Sequence, residues 1–194
     1  ISLDLKMPNF TFTGIDMDIP MILHAYIDGA WVKIDSSSYT STIVCSYDPN
    51  DKQVEPIGKK DQKFVLIKDA LNYTIRFQNT GNAPAKDVVI IDTLDEQLDL
   101  TTFQMIASSH TLNVSLDRNV VSFFFRNIWL PDSISNKEKS QGYLLFSIKP
   151  KAAIQELSLV ENKADIYFDY NPAVTTNTVS NTLVSHICDD EIIN

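Results

Sequence analysis

Oxygen-bearing side chains cluster early in the chain, in the sequence DPND at residues 48–51. Hard cations such as Ca²⁺ bind several oxygens at about 2.3–2.6 Å, and loops rich in Asp and Asn supply them. The cluster therefore predicts a calcium site, the only cofactor that the sequence suggests. Its predicted ligands are Asp48, Asn50, Asp51 and Asp169. The alternative is an Asx-type turn that fixes the local chain direction without an ion.

A second group of acidic side chains follows at Asp92, Asp95 and Glu96. Asp92 and Asp95 could complete the calcium site in place of Asp169. Two carboxylates can also form the acid and base pair of a glycosidase, but that mechanism requires a defined separation that the sequence does not provide. Carboxylates on the surface and in turns explain this group better.

The cysteines and histidines form no recognisable catalytic or metal motif. Cys45 and Cys188 lie far apart and fit no CxxC spacing, which leaves a disulfide and two separate thiols as open alternatives. His24, His110 and His186 stand in no motif that would pair a histidine with a thiol. The sequence therefore predicts no catalytic residues and a protein that is not an enzyme.

The clearest structural pattern lies in residues 71–95. Leu71, Tyr73, Ile75 and Phe77 alternate with polar residues, as in a strand with one buried face. The Asn- and Gly-containing stretch at 79–82 predicts a turn, and the β-branched run at 88–91 predicts a second strand. Turn residues recur at the spacing of about 8–12 residues that is typical of an all-β sandwich.

Composition excludes several classes of partner. The 194 residues include 44% hydrophobic residues, which is enough for a folded core. A net charge of −9 and the absence of a basic cluster argue against nucleic acid as a partner. No apolar run reaches the length of about 18 residues that crosses a bilayer, so membrane insertion is not expected.

The chain divides into three predicted parts. Residues 1–46 contain short strand patterns, with Asp28-Gly29 as a hairpin turn, and predict a small β unit. Residues 47–188 predict the β-sandwich, and residues 189–194 a flexible tail. The first part of the sandwich segment, residues 47–61, holds two Pro, one Gly and many charges without apolar alternation. We therefore expect it to be a connector between the two units.

Four blocks of sequence, in order, resemble a known family. They are SYDPNDKQVEPIG, YTIRFQNTGNAPAKDVVIIDTLDEQLDL, NIWLPDSISNKEKSQGYLLFSIKPK and NKADIYFDYNPAVTTNTVSNTL. They are similar to the conserved-repeat domain of secreted bacterial surface proteins exported by the type IX system. The resemblance covers about three quarters of the chain. It implies an immunoglobulin-like β-sandwich, a smaller N-terminal β unit that ends a preceding repeat, and no catalytic residues.

The resemblance implies a non-enzymatic structural or adhesive module, secreted or on the cell surface. Its expected partners are neighbouring domains of the same chain and a cell-surface protein or glycan. The alternative is an accessory carbohydrate-binding module of an exported hydrolase, with Trp129, Trp31 and Tyr167 as its aromatic platform. Some surface adhesins carry a lysine–asparagine crosslink, for which Lys63 and Asn181 are candidates, although no partner acid is identifiable from the sequence.

Overall fold

The computed structural model describes residues 16–42 and 49–187, which are all β-strand, turn and loop. Contacts divide the chain into one unit at residues 1–47 and another at residues 48–194. In the first unit, β1 (Asp16–Ile27) and β2 (Ala30–Thr42) form an antiparallel hairpin. The predicted turn is confirmed, because Asp28 and Gly29 connect the strands with φ of 49° and 83°. Both residue types tolerate this left-handed backbone.

The second unit holds twelve strands among the described residues. They are β3 (Asp51–Glu55), β4 (Phe64–Leu66), β5 (Leu71–Gln78), β6 (Val88–Thr93), β7 (Leu98–Ser108), β8 (Asn113–Asp117), β9 (Val120–Phe125), β10 (Gln141–Pro150), β11 (Ser158–Asn162), β12 (Ala164–Phe168), β13 (Val174–Thr175) and β14 (Val179–Val184).

These strands form three sheets around one core. The first sheet has the order β3-β5-β10-β7, the second β13-β12-β6-β9-β8, and the third β11-β14-β4. Rings from the first two sheets meet in the core, where Phe77 contacts Phe125 at 5.1 Å and Phe123 contacts Phe146 at 5.6 Å between centroids. The architecture is an all-β, immunoglobulin-like sandwich, as the sequence predicts.

Alternating burial along the strands produces this packing. In β5 the apolar residues Leu71, Tyr73, Ile75 and Phe77 are at most 1% exposed, while the residues between them are less buried. The predicted turn after β5 is also confirmed. Asn79 accepts a hydrogen bond from the Gly81 amide through Oδ1 at 3.0 Å and donates through Nδ2 to the Ala83 carbonyl at 2.9 Å. The loop is thus a side-chain-stabilised turn between two strands.

Two features of the second unit differ from expectation. Residues 51–55 are not connector but strand β3, which pairs with β5 from Asp51 opposite Arg76 to Glu55 opposite Asn72. The alternation from Val160 to Tyr170 predicts a single strand, but the segment forms two strands, β11 and β12, which belong to different sheets and are separated by Lys163. Both differences occur where a polar residue occupies a core position.

Candidate functional site

Four polar side chains meet inside the sandwich instead of at its surface. Lys52, Tyr73, Asp92 and Asn162 are each at most 2% exposed, and the side chains of Lys52 and Asp92 are completely buried. An ionisable residue is almost never fully buried unless it is paired. The cluster is therefore the chemically distinctive part of the described residues, and we define it as the core polar site.

The strand pattern explains how these residues enter the core. Lys52 shares the inward face of β3 with Val54, and Asp92 continues the buried series Val88 and Ile90 in β6. Asn162 ends β11 on the same face as Val160. Each of the three occupies a position where period-2 alternation calls for an apolar residue. They also belong to three different sheets, which converge at the core polar site.

Lys52 and Asp92 form a buried ion pair between Nζ and Oδ2. The Lys52 Nζ also lies 4.9 Å from the ring centroid of Tyr73 and 5.4 Å from that of Phe146, within the range of a cation–π contact. Burial lowers the pKa of Lys52, against the opposing influence of Asp92, and burial raises the pKa of Asp92, against that of Lys52. The low-dielectric core thus shifts this pair towards the neutral amine and the neutral acid.

Asn162 is the unusual member of the core polar site. Its carboxamide influences the pKa of both Asp92 and Tyr73, so it borders both groups. Among the described residues, however, neither its Oδ1 nor its Nδ2 has a partner with hydrogen-bond geometry, and the same holds for Asp92 Oδ1. Leaving a buried polar group unpaired destabilises a protein by about 1–3 kcal/mol. Three such atoms in one cluster require an explanation.

Asn177 holds the backbone of Lys52 in place. The Lys52 amide donates to Asn177 Oδ1 at 2.9 Å, and Asn177 Nδ2 donates to the Lys52 carbonyl at 2.9 Å. The side-chain amide thus satisfies both backbone groups of Lys52, as a neighbouring strand would. This fixes the point from which the Lys52 side chain extends into the core.

The chemistry available at the core polar site is internal to the protein. It combines an amine, a carboxyl group and a carboxamide, but Lys52 and Asp92 have no exposed side-chain surface that an external substrate could contact. Burial also raises the pKa of Tyr73, so its hydroxyl keeps its proton. The interpretation of Asp92 as a surface or turn carboxylate is therefore wrong, because it lies in the core and contacts Lys52.

The predicted calcium ligands are occupied by protein groups in the described part of the chain. Asp51 pairs with Arg76, Asn50 Oδ1 accepts from the Gln78 amide at 3.0 Å, and Asp169 accepts from the backbone amides of Lys86 and Asp87. Asp48 lies outside the described residues. Within residues 16–42 and 49–187 no group of three or more His, Cys, Asp or Glu side chains could hold a metal ion. Calcium binding stays a prediction, which a thermal melt with and without chelator tests.

The three aromatic residues of the carbohydrate-binding alternative lie in different settings. Trp31 is 72% exposed in the β1–β2 hairpin and contacts the Tyr26 ring edge-on at 5.3 Å. Trp129 is 60% exposed and adopts a left-handed backbone with φ of 48°. Tyr167 is half-buried in β12, opposite Val89 of β6. Trp31 belongs to the first unit, and Trp129 and Tyr167 belong to the second.

Lys63 and Asn181 are the residues that the sequence suggests for a crosslink. Asn181 donates through Nδ2 to the carbonyls of Pro56 and Ile57, and Lys63 is exposed. The core polar site contains neither. Cys45 and Cys188, the candidates for a disulfide, lie outside the described residues. Lys52 and Asn162 are the functional candidates that sequence reasoning missed, and a polar residue in the apolar phase of a strand is the signal that could have identified them.

Fold and site together define the class of protein. It is an all-β, immunoglobulin-like sandwich with a buried polar centre. The chain belongs to the family described as "Domain of unknown function (DUF7619)", which matches residues 48–182. The sequence has no significant match among curated proteins. Among the described residues no helix is long and apolar enough to cross a membrane.

Solved structures of similar fold include a domain of a bacterial adhesin. The N-terminal domain of the Streptococcus gordonii adhesin Sgo0707 is 16% identical with a TM-score of 0.51, over 76% of this chain and 38% of that one. A structure named BspA_C_mut is 16% identical with a TM-score of 0.52, over 71% and 52%. BcpA, the major pilin subunit of Bacillus cereus, is 16% identical with a TM-score of 0.49, over 86% and 48%. The match thus spans about half or less of each of these proteins.

Proposed function

We propose that this chain is a non-enzymatic structural and adhesive module of a secreted cell-surface protein. The observation that carries the proposal is that the ionisable side chains of the core polar site are buried between three sheets, where they can act on the module itself and not on an external substrate. The fold similarity to an adhesin domain supports the same role. Neighbouring domains of the same chain and a surface protein or glycan are the proposed partners.

The mechanism of such a module is mechanical. Strand β3 is the first strand of the sandwich and lies at the edge of its sheet, where β5 is its paired neighbour. Load that arrives from the N-terminal side therefore acts first on β3. The antiparallel ladder, the Asp51 to Arg76 ion pair and the two Asn177 hydrogen bonds resist its removal. Export by the type IX system is the proposed route to the surface and rests on the sequence resemblance.

Surface location gives the first test of this proposal. We expect antibodies raised against the folded chain to label intact, unpermeabilised cells of the source organism. Brief protease treatment of those cells should remove the label, because the module lies outside the cell envelope. An antibody against a cytoplasmic protein provides the control for lysis. Labelling that requires permeabilisation would contradict the proposal.

A specific observation favours the second candidate, carbohydrate binding. Trp129 projects from a short loop that is held at several points: its amide donates to the Lys86 carbonyl at 3.3 Å, and the nearby Asn127 amide donates to Asp87 Oδ1 at 2.6 Å. Tyr170, which is fully exposed, follows Asp169, and Asp169 also binds the amides of Lys86 and Asp87. A fixed, exposed indole is suited to stacking on an apolar sugar face.

A glycan array distinguishes the two candidates. Carbohydrate binding predicts signal for the wild-type chain that Trp129→Ala reduces at least about tenfold, since one aromatic contact of about 1.5 kcal/mol corresponds to that factor. Trp31→Ala provides a matched control, because Trp31 is also exposed but belongs to the first unit. If the wild-type chain binds no glycan on the array, or if Trp129→Ala binds equally well, carbohydrate binding is rejected and the structural role remains.

A further inference from the structure

We propose that Lys52 and Asn162 become joined by an intramolecular amide bond between Lys52 Nζ and Asn162 Cγ, with Asp92 carrying the proton between them. Nothing in the adhesive role is needed for this inference, because it rests on the contacts of the core polar site alone. The bond would be a covalent modification that the chain makes on itself. It would convert three separate polar side chains into one crosslinked unit.

The geometry brings the three reacting groups to one place. Lys52 Nζ contacts Asp92 Oδ2, and the Asn162 carboxamide borders Asp92 and the Tyr73 hydroxyl. Asp92 is thus the common neighbour of the amine and the carboxamide. Their arrival from three different sheets means that the completed fold, and not local sequence, assembles the site. We infer that the reaction follows folding.

The unpaired atoms of Asn162 indicate that it is the acceptor. Within the described part of the chain, its Oδ1 and Nδ2 have no hydrogen-bond partner although the residue is only 2% exposed. A buried amide retained only for packing would normally be hydrogen-bonded. Asn79, Asn177 and Asn181 in the same unit illustrate this, since each donates from Nδ2 to a backbone carbonyl. Asn162 alone among these four side chains lacks such a bond, and it borders the acid that contacts Lys52.

The chemical step balances without a cofactor or an oxidant. The neutral Lys52 amine attacks Asn162 Cγ, which forms the new carbon–nitrogen bond and a tetrahedral intermediate. Asp92 donates a hydrogen bond to Asn162 Oδ1, takes the proton that leaves Nζ and passes a proton to the departing nitrogen. The bond between Cγ and Nδ2 breaks, and one ammonia leaves. The dry core supplies a nucleophilic amine and a protonated acid, since burial lowers the pKa of Lys52 and raises that of Asp92.

The consequence would be a covalent link between the first strand of the sandwich and β11. Residues 53–161 would lie inside the closed loop, so tension on the chain would bypass them. Among the described strands of the second unit, β12, β13 and β14 would remain outside the loop. The edge strand β3 could then not be pulled away from the fold without breaking a covalent bond.

Mass spectrometry of the intact, denatured 194-residue chain tests the proposal. We expect the wild-type chain to be lighter than its sequence mass by one ammonia, and proteolysis to yield a branched peptide that contains Lys52 joined to Asn162. A chain at full sequence mass after prolonged incubation in the folded state would overturn the proposal. Loss of one water in place of ammonia would also overturn it, because it would assign the bond to Lys52 and Asp92.

Variants separate this reaction from other losses of ammonia. Lys52→Arg should retain the full mass, whereas succinimide formation at an asparagine would continue in that variant. Lys63→Arg is the matched control, because Lys63 is exposed and should leave the crosslink complete. Asp92→Asn should abolish or greatly slow the loss, with circular dichroism as the check that the variant is folded. The branched peptide from the wild-type chain decides the question even if a variant fails to fold.

Discussion

Replacing Asn162 with alanine is expected to lower the free energy of unfolding by about 5 kcal/mol. The amide bond would close a loop of 110 residues, the difference between positions 162 and 52, and a crosslink of that span removes about 5 kcal/mol of unfolded-state entropy. For a chain of this size the thermal midpoint should fall by about 10–20 °C. Urea or thermal unfolding of both chains, followed by circular dichroism, measures the difference.

The sign of this effect distinguishes a crosslinked core from an uncrosslinked one. Without the bond, Asn162 would be a buried amide that has no partner among the described residues. Alanine would then relieve a penalty of about 1–3 kcal/mol and leave stability unchanged or higher. In a Lys52→Arg background, where no bond can form, Asn162→Ala should therefore not destabilise further. Equal or greater stability of Asn162→Ala in the wild-type background would contradict the crosslink.

Much of the sandwich could be predicted because its strands follow simple alternation. Residues 71–78 place apolar side chains at every second position, and these side chains are buried. The turn at Asn79 and the hairpin turn at Asp28-Gly29 were also predictable, since side-chain hydrogen bonding and left-handed backbone geometry depend on local residue type. Local sequence patterns are therefore sufficient to predict a strand where its buried face is apolar throughout.

The same rule fails at the core polar site. In β3 the burial alternates, with Lys52 and Val54 inside. The sequence DKQVE, however, has charged residues at three of its five positions and so suggests a connector. Asp92 follows the β-branched run of β6 and suggests the start of a turn, although it is the third inward residue of that strand. The compensation for burying each charge is the other residue, which lies 40 positions away. Alternation within one strand contains no information about that partner.

Asn162 illustrates a different limit. Its position in the series Val160, Asn162, Ala164 and Ile166 is the inward phase, so its burial could be inferred from an unbroken strand. The strand is not unbroken, however, because the chain passes from one sheet to another at Lys163. That transition brings Asn162 beside Asp92, whose ladder partner is Ala164. Only the topology of the sandwich determines that neighbourhood.

Replacing Lys52 with methionine is expected to have a larger effect than Asn162→Ala and to make stability depend on pH. The change removes the crosslink and also leaves Asp92 buried without the polar group that faces it, which adds about 1–3 kcal/mol of destabilisation. Methionine keeps the length and apolar stem of lysine, so the loss of packing is small. We expect the thermal midpoint to be highest near pH 4–5 and to fall towards pH 8.

The sign of the pH effect follows from proton binding. Burial raises the pKa of Asp92 in the folded protein above its ordinary value of 3.8, and with methionine at position 52 no lysine charge opposes this rise. Above pH 3.8 the unfolded chain therefore loses the Asp92 proton while the folded chain keeps it. The folded state binds more protons in this window, so raising the pH favours unfolding, by up to about 1.4 kcal/mol per pH unit for one proton. The loss continues until the pH passes the folded pKa of Asp92.

The double variant Lys52→Met with Asp92→Asn is the matched control, because its side chains at the core polar site stay neutral at every pH between 4 and 8. Subtracting its melting profile removes the contribution of His110, whose pKa is lowered by burial, and of the surface carboxylates. The difference between the two profiles should shrink to near zero at pH 4 and widen steadily above it. A difference that stays constant from pH 4 to pH 8 would show that burial does not raise the pKa of Asp92 in the Lys52→Met chain, and would contradict this prediction.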